Sequence, residues 1–187
     1  MEGWLRRRAG NRRMSPKDGL DYIVCQEVVD FTIQVLCDYG RRRPAAEGVV
    51  YWAGRLQGKV WQICAAVAPA VQASRYGFQT GYSTNARFVS FLCDNNLQYI
   101  AQVHSHPGSY VDHSPVDDQE TAFRREGLLS IVVPNFGSRG ILPWKQCGVH
   151  LFTNNCFRRI TDKHLRKHFC VVDAIEDEIL IKNFRNE

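Results

Sequence analysis

His104, Ser105, His106 and Pro107, followed after a short loop by Ser114 and Asp117, are the residues whose types and spacing suit chemistry at a metal ion. His104 and His106 stand two apart, so in an extended segment both rings project to one face, as two ligands of one ion require. Asp117 completes a set of three. Two imidazoles and a carboxylate are the kind of set that catalytic zinc sites use, with the fourth position left to water or substrate. Five fixed residues (His104, His106, Pro107, Ser114 and Asp117) at about 5% usage each match by chance in a chain this long on the order of once in ten thousand. Coincidence is therefore set aside.

The pattern H-x-H-P followed by S-x-x-D resembles the signature of the JAMM/MPN (JAB-like) metalloproteases, a group that includes deubiquitinating enzymes, bacterial JAB-like proteins and the related RadC-type domains. The resemblance covers residues 20 to 152. It implies that His104, His106 and Asp117 bind one catalytic zinc ion and that Ser114 helps to stabilise the oxyanion. It also implies an upstream glutamate as general base. Glu47 fits that role, at the start of the run Glu47-Gly-Val-Val-Tyr-Trp-Ala-Gly54, which reads as a buried strand bounded by glycines. The family often has E-x-x-G-x-x-x-G here, and Val50 stands where the first of those glycines often is. Taken alone, Glu47 reads as an exposed carboxylate after the turn Arg43-Pro44-Ala45-Ala46; the downstream motif reverses that reading.

Ser114-Pro115-Val116-Asp117 is also a helix-start pattern, with Ser at the N-cap, Pro at the first position and an acid at the third. That helix is expected to run to about Glu126. Both roles coexist, because a carboxylate in a first turn is held and aimed back at the preceding loop. Asp118 points roughly 100° away on a helix and is the poorer ligand. Among the other histidines, His113 and His150 are read as surface and strand residues. His164 and His168 have metal-compatible i, i+4 spacing but no carboxylate or Cys partner in sequence.

The elements that must position these residues alternate between helix and strand. Asp21 to Tyr39 carries apolar residues at 24, 28, 31, 35 and 36, a helical stripe that ends at Gly40. Val49 to Leu56 and Lys59 to Ala68 flank Gln57-Gly58 as a hairpin. Asn85 to Cys93 reads as a second helix with Thr84 near its cap, and Leu97 to Val103 as a strand leading into the histidines. Leu128 to Val133, Cys147 to Phe152 and Phe157 to Ile160 read as further strands, and Asp162 to Phe169 as a short helix. The loop from Pro134 to Pro143 is rich in Gly and Pro and is placed at the rim of a groove. The alternation gives an α/β domain. The resemblance makes it a single MPN/JAB (cytidine-deaminase-like) domain over residues 18–187, a mixed sheet flanked by helices, behind a basic, disordered tail at 1–17.

Composition agrees with a globular domain: 187 residues, 44% hydrophobic and 23% charged. The net charge of +5 belongs to residues 1 to 17, where Arg6, Arg7, Arg8, Arg12, Arg13 and Lys17 face Glu2 alone. Nucleic acid is therefore not the expected partner, and the tail is read as a solvated leader or an over-extended start, with Met14 as the alternative first residue. The seven cysteines form no C-x-x-C pair, and most stand in apolar runs. They read as buried free thiols of a reducing compartment. With no apolar run of about 18 residues and no signal-peptide pattern, a cytoplasmic location without a membrane anchor is expected.

What the resemblance implies for function is hydrolysis of a peptide or isopeptide bond at the C-terminal tail of a ubiquitin-like protein, in deconjugation or precursor processing. E1/E2-like enzymes are the implied associates. Two other classes remain at this point. A non-catalytic MPN scaffold would hold no stoichiometric zinc, and a RadC-like nucleic-acid-associated protein would bind DNA in a salt-sensitive way through residues 1 to 13.

Overall fold

The computed structural model describes residues 19–114, 117, 121 and 123–185. Its centre is a mixed sheet in the order β10-β1-β3-β2-β6-β7-β8-β9. The strands are β1 (Asp21–Cys25), β2 (Val49–Gln57), β3 (Val60–Ala68), β6 (Gln98–Ser105), β7 (Leu129–Val133), β8 (Gly148–Thr153), β9 (Cys156–Arg159) and β10 (Phe169–Val172). A last strand, β11 (Leu180–Asn183), runs parallel to β3 along Ala65–Ala68, beyond the stretch that β1 occupies. β4 (Val71–Ser74) and β5 (Gly77–Thr80) form a separate hairpin.

The sheet is buried on both sides. On one face α1 (Gln26–Gly40) packs Val28, Val29, Val35 and Leu36 against Val50, Trp52, Val103 and Ile131. This is the stripe at 3.6-residue spacing that an amphipathic helix turns to a core. The Trp52 indole donates to Thr32 Oγ1 at 2.8 Å, so the one polar group this tryptophan buries is satisfied. On the other face α2 (Tyr82–Asp94) lays Phe88 on Tyr51 and Tyr99, with ring centroids 4.8 and 5.2 Å apart. α3 (Asp162–His168) packs Leu165 into the same cluster as α1.

The expected helix from Asp21 divides in two. Its first five residues are β1, with Tyr22 and Val24 buried in alternation and parallel partners on both sides, β3 and β10. Val24 and Val28 happen to fit helical spacing across the boundary, so local periodicity did not reveal the break; pairing with distant strands decides it. α2 begins three residues earlier than expected from a cap near Thr84, with Gly81 at its N-cap and Thr84 buried inside the helix. The strand expected from Glu47 starts at Val49, so Glu47 lies two residues ahead of it. Of the helix expected from Ser114, residues 115, 116, 118–120 and 122 lie outside the described residues, as does the N-terminal segment to residue 18; Asp117 is helical and Thr121 is not.

All seven cysteines are free. Only Cys25, Cys64 and Cys147 are buried, whereas Cys93, Cys156 and Cys170 are exposed, so the expectation of buried thiols holds for fewer than half. The apolar runs supply alternating positions, and short edge strands such as β9 and β10 turn one in two to solvent. Among the described residues, no helix is long and apolar enough to cross a membrane.

Gly54 marks the β-bulge where β2 shifts register against β3. A Cβ there would stand 1.9 Å from the Gln62 carbonyl oxygen, so Gly54→Ala must push two central strands apart. A loss of about 2 kcal/mol or more is expected, read as a lower urea midpoint at unchanged slope.

Candidate metal centre

β6 carries His104 and ends one residue before His106. Its last residues are held between β2, where Val49 pairs with His104, and β7, where Val132 does. Ser105 fastens this end. Its N–H donates to the Gly48 carbonyl and its Oγ accepts from the Gly48 N–H, both at 3.0 Å. Those two bonds bring Glu47, one residue earlier, beside the histidines, with its own N–H donating to Ser74 of the β4–β5 hairpin. Glu47 is 3% exposed, not a surface carboxylate.

His104, His106 and Asp117 converge as expected from sequence. One ligand atom from each lies within 4.8 Å of the others. Nε2 of His104 and Nε2 of His106 each stand 3.4 Å from the same oxygen, Asp117 Oδ1. Tetrahedral coordination at about 2.0–2.1 Å places ligand atoms about 3.3–3.4 Å apart, so these two edges already have the length a zinc site needs. His104 is fully buried and neither ring nitrogen makes a hydrogen bond within ordinary geometry. A buried imidazole without a hydrogen bond calls for another partner, and a metal ion at Nε2 supplies one. The residues present fit the group.

Partners behind the ligands orient them. His106 Nδ1 lies 3.0 Å from the Tyr110 carbonyl oxygen, so its N–H points there and Nε2 is left as the acceptor. Asp117 Oδ2 accepts from the Ser114 N–H at 2.6 Å, which turns Oδ1 to the histidines. Ser114 Oγ accepts from the Asp117 N–H at 3.1 Å, the reciprocal half of a capping box. The Ser114 hydroxyl proton remains available for donation. Tyr110, 59% exposed, lies parallel to the His106 ring at 6.2 Å between centroids.

The electrostatics follow from burial and from one shared carboxylate. Burial lowers the His104 imidazole to about 4, against the attraction of Asp117. Burial also acts to lower His106, but Asp117, Glu47 and the Tyr110 carbonyl outweigh it and the group is raised. For Asp117, burial acts to raise the carboxyl, and the close imidazoles of His104 and His106 and the Ser114 amide hold it far below the carboxylate range. The carboxylate is ionised and the more buried imidazole neutral near pH 7, the forms in which both bind metal.

His113 is neither at the surface nor a ligand: it is half-buried, 6.0 Å from the His104 ring centroid. His150 is buried in β8, and burial, with the nearby His113 and Arg159, pushes its imidazole down to about 3 against Asp112. Its folded value is below the unfolded value of about 6.5, so folding favours the neutral ring. The associated stability is complete above pH 6.5 and is lost as pH falls toward 3, at up to about 1.4 kcal/mol per unit. His150→Gln is expected to flatten that acid limb, read as urea midpoints between pH 7.5 and 4.5. His164 and His168 stack on α3 with centroids 4.2 Å apart, and His168 finds the carboxylate partner that its sequence neighbours lack, Asp21 of β1, at 2.6 Å.

Comparison with known proteins finds a relative named for a metal-dependent activity. Over 94 residues, 48% of this chain, the sequence is 35% identical to a protein of Sinorhizobium fredii (strain NBRC 101917 / NGR234) named "Probable metalloprotease y4jG". The aligned part spans 57% of that relative, a little over half its length. No family model matches the chain. The fold is similar to the solution structure of protein DSY2949 from Desulfitobacterium hafniense, with a TM-score of 0.60 and 14% identity, over 83% of this chain and 95% of that one. At that identity the likeness speaks for the fold alone.

The sequence assigns no role to Ser105, to Tyr110 or to the residues of β7 to β9 that face the ligand loop. Ser105 sits inside the H-x-H-P motif and its neighbours were informative. The others act through contacts across strands and leave no local pattern.

Proposed function

We propose that the chain is a zinc-dependent metalloprotease of the JAMM/MPN type that hydrolyses a peptide or isopeptide bond at the C-terminal tail of a ubiquitin-like protein. The observation that carries this reading is the convergence of His104, His106 and Asp117 with a buried glutamate, Glu47, alongside. The relative named as a metalloprotease supports the hydrolytic class. The ubiquitin-like substrate and the E1/E2-like associates rest on the motif resemblance.

His104, His106 and Asp117 would hold the ion, which when bound lowers the pKa of a water to about 7 and polarises the scissile carbonyl. Glu47 takes the proton of the attacking water on its carboxylate and passes it to the departing amine. Ser114, whose Oγ already accepts from the Asp117 N–H, donates a hydrogen bond from its hydroxyl to the tetrahedral oxyanion. The test is incubation with a panel of ubiquitin-like fusions, with and without a chelator. Cleavage after the C-terminal glycine of one fusion, abolished by the chelator and restored by zinc, is expected. Chelator-resistant cleavage overturns the metal mechanism, and cleavage of unrelated peptides alone overturns the substrate class.

A further inference from the structure

The loop between Pro107 and Ser114 is fastened to the sheet by residues that bind no ion. The Val111 carbonyl oxygen rests on Gly148 of β8, where a Cβ would stand 1.7 Å from it. Asp112 Oδ1 accepts from Arg159 Nη1 at 2.6 Å and faces His150 Nε2 at 3.7 Å. His113 Nε2 and Ser130 Oγ are hydrogen-bonded at 2.7 Å, and the His113 ring lies 4.7 Å from His150 and 4.3 Å from Phe157.

The partners form a row. Gln102 stands opposite Ser130, Ser130 opposite His150, and His150 opposite Arg159, across β6, β7, β8 and β9. Directly opposed residues share a face, so four polar side chains line up in strands that are otherwise mostly apolar. A buried polar row is costly unless polar groups lie upon it. Asp112 and His113 are such groups.

We infer that Asp112 and His113 are positioning residues of the metal centre, which by docking on Ser130, His150 and Arg159 set where Ser114 and Asp117 stand relative to His104 and His106. The inference rests on the reading that the triad holds a metal. His104 is placed by β6 itself, whereas His106 takes its ring orientation from Tyr110 of this loop and Asp117 follows the loop in the chain. The Ser114 amide, next to His113, holds Asp117 Oδ2 at 2.6 Å, so a displaced His113 displaces the carboxylate. Ligand sets tolerate about 0.5 Å of such movement.

Titration of the intact protein with Co²⁺, followed by visible absorption, tests this, with thermal melts to establish that each variant is folded. Asp112→Ala and Arg159→Met are expected to bind Co²⁺ about tenfold to a hundredfold more weakly than the unsubstituted protein and with an altered absorption band. Arg159→Lys, which can still pair with Asp112, is expected to recover most of the affinity and the parent band. A lower melting temperature with unchanged Co²⁺ affinity and spectrum in Asp112→Ala overturns the inference. If Asp112→Ala does not fold, Ser130→Ala decides: an unchanged spectrum and dissociation constant overturn the inference, and a weaker, altered complex supports it. Failure of the unsubstituted protein to bind Co²⁺ overturns the metal-centre reading itself, and is told apart because no variant is involved.

Discussion

Glu47→Gln is expected to abolish turnover while leaving the metal in place. The substitution keeps the shape of the side chain, and Glu47 is not among the three converging ligands, so zinc content is expected to remain at one ion per chain. Its carboxylate stands beside the ligands because Gly48 is bonded twice to Ser105, and that backbone geometry does not depend on the side chain. Loss of a positioned general base costs about 10² to 10⁴ in rate. Metal analysis together with kcat on the best fusion substrate checks both halves. An active Glu47→Gln protein removes this residue from the mechanism, and a metal-free one makes it a ligand.

The second large effect is expected from His104→Ala, which should lose metal and activity together. Zinc held by four ligands binds with about 10–16 kcal/mol, or roughly 3 kcal/mol per ligand, so losing one weakens binding about a hundredfold or more. His104 is fully buried on the central strand, and its removal also leaves Asp117 Oδ1 with one imidazole in place of two. Zinc content after gel filtration and dialysis is expected to fall below one tenth of an equivalent, with cleavage undetectable at micromolar zinc. The pair separates roles: both variants are inactive, but only His104→Ala is metal-free. Stoichiometric zinc in His104→Ala would place the ion elsewhere.

The site was legible where its residues are close in sequence. His104 near the end of β6 with His106 just past the strand end, and Ser114 with Asp117 at a helix start, carry their geometry in their spacing. Glu47 was different, because nothing local distinguishes it from an exposed carboxylate, and only the downstream motif led to it; the reason it is buried is the paired bonds between Gly48 and Ser105. The long elements β2, β3, β6, α1 and α2 were readable from periodicity. The misreading at Asp21 came from parallel pairing with β3 and β10, an interaction with no local signature. The β4–β5 hairpin, Val71 to Thr80, went unseen because its burial alternates only weakly around an exposed turn at Arg75-Tyr76. β10 and β11 are four residues each, too short for a period to declare itself. The row from Gln102 to Arg159 is invisible in sequence for a simple reason: its members come from four strands.

β3 shares its outer edge between two strands distant in the chain, β1 along residues 60–63 and β11 along 65–68, while β10 covers the outer side of β1. During synthesis the frame around the ion-binding residues is complete once β7, β8 and β9 have left the ribosome, but these edges stay bare until β10 and β11 emerge. A product cut short after β9 would therefore carry the whole ligand set and still expose two unpaired strand edges, the kind of surface on which chains stack into aggregates.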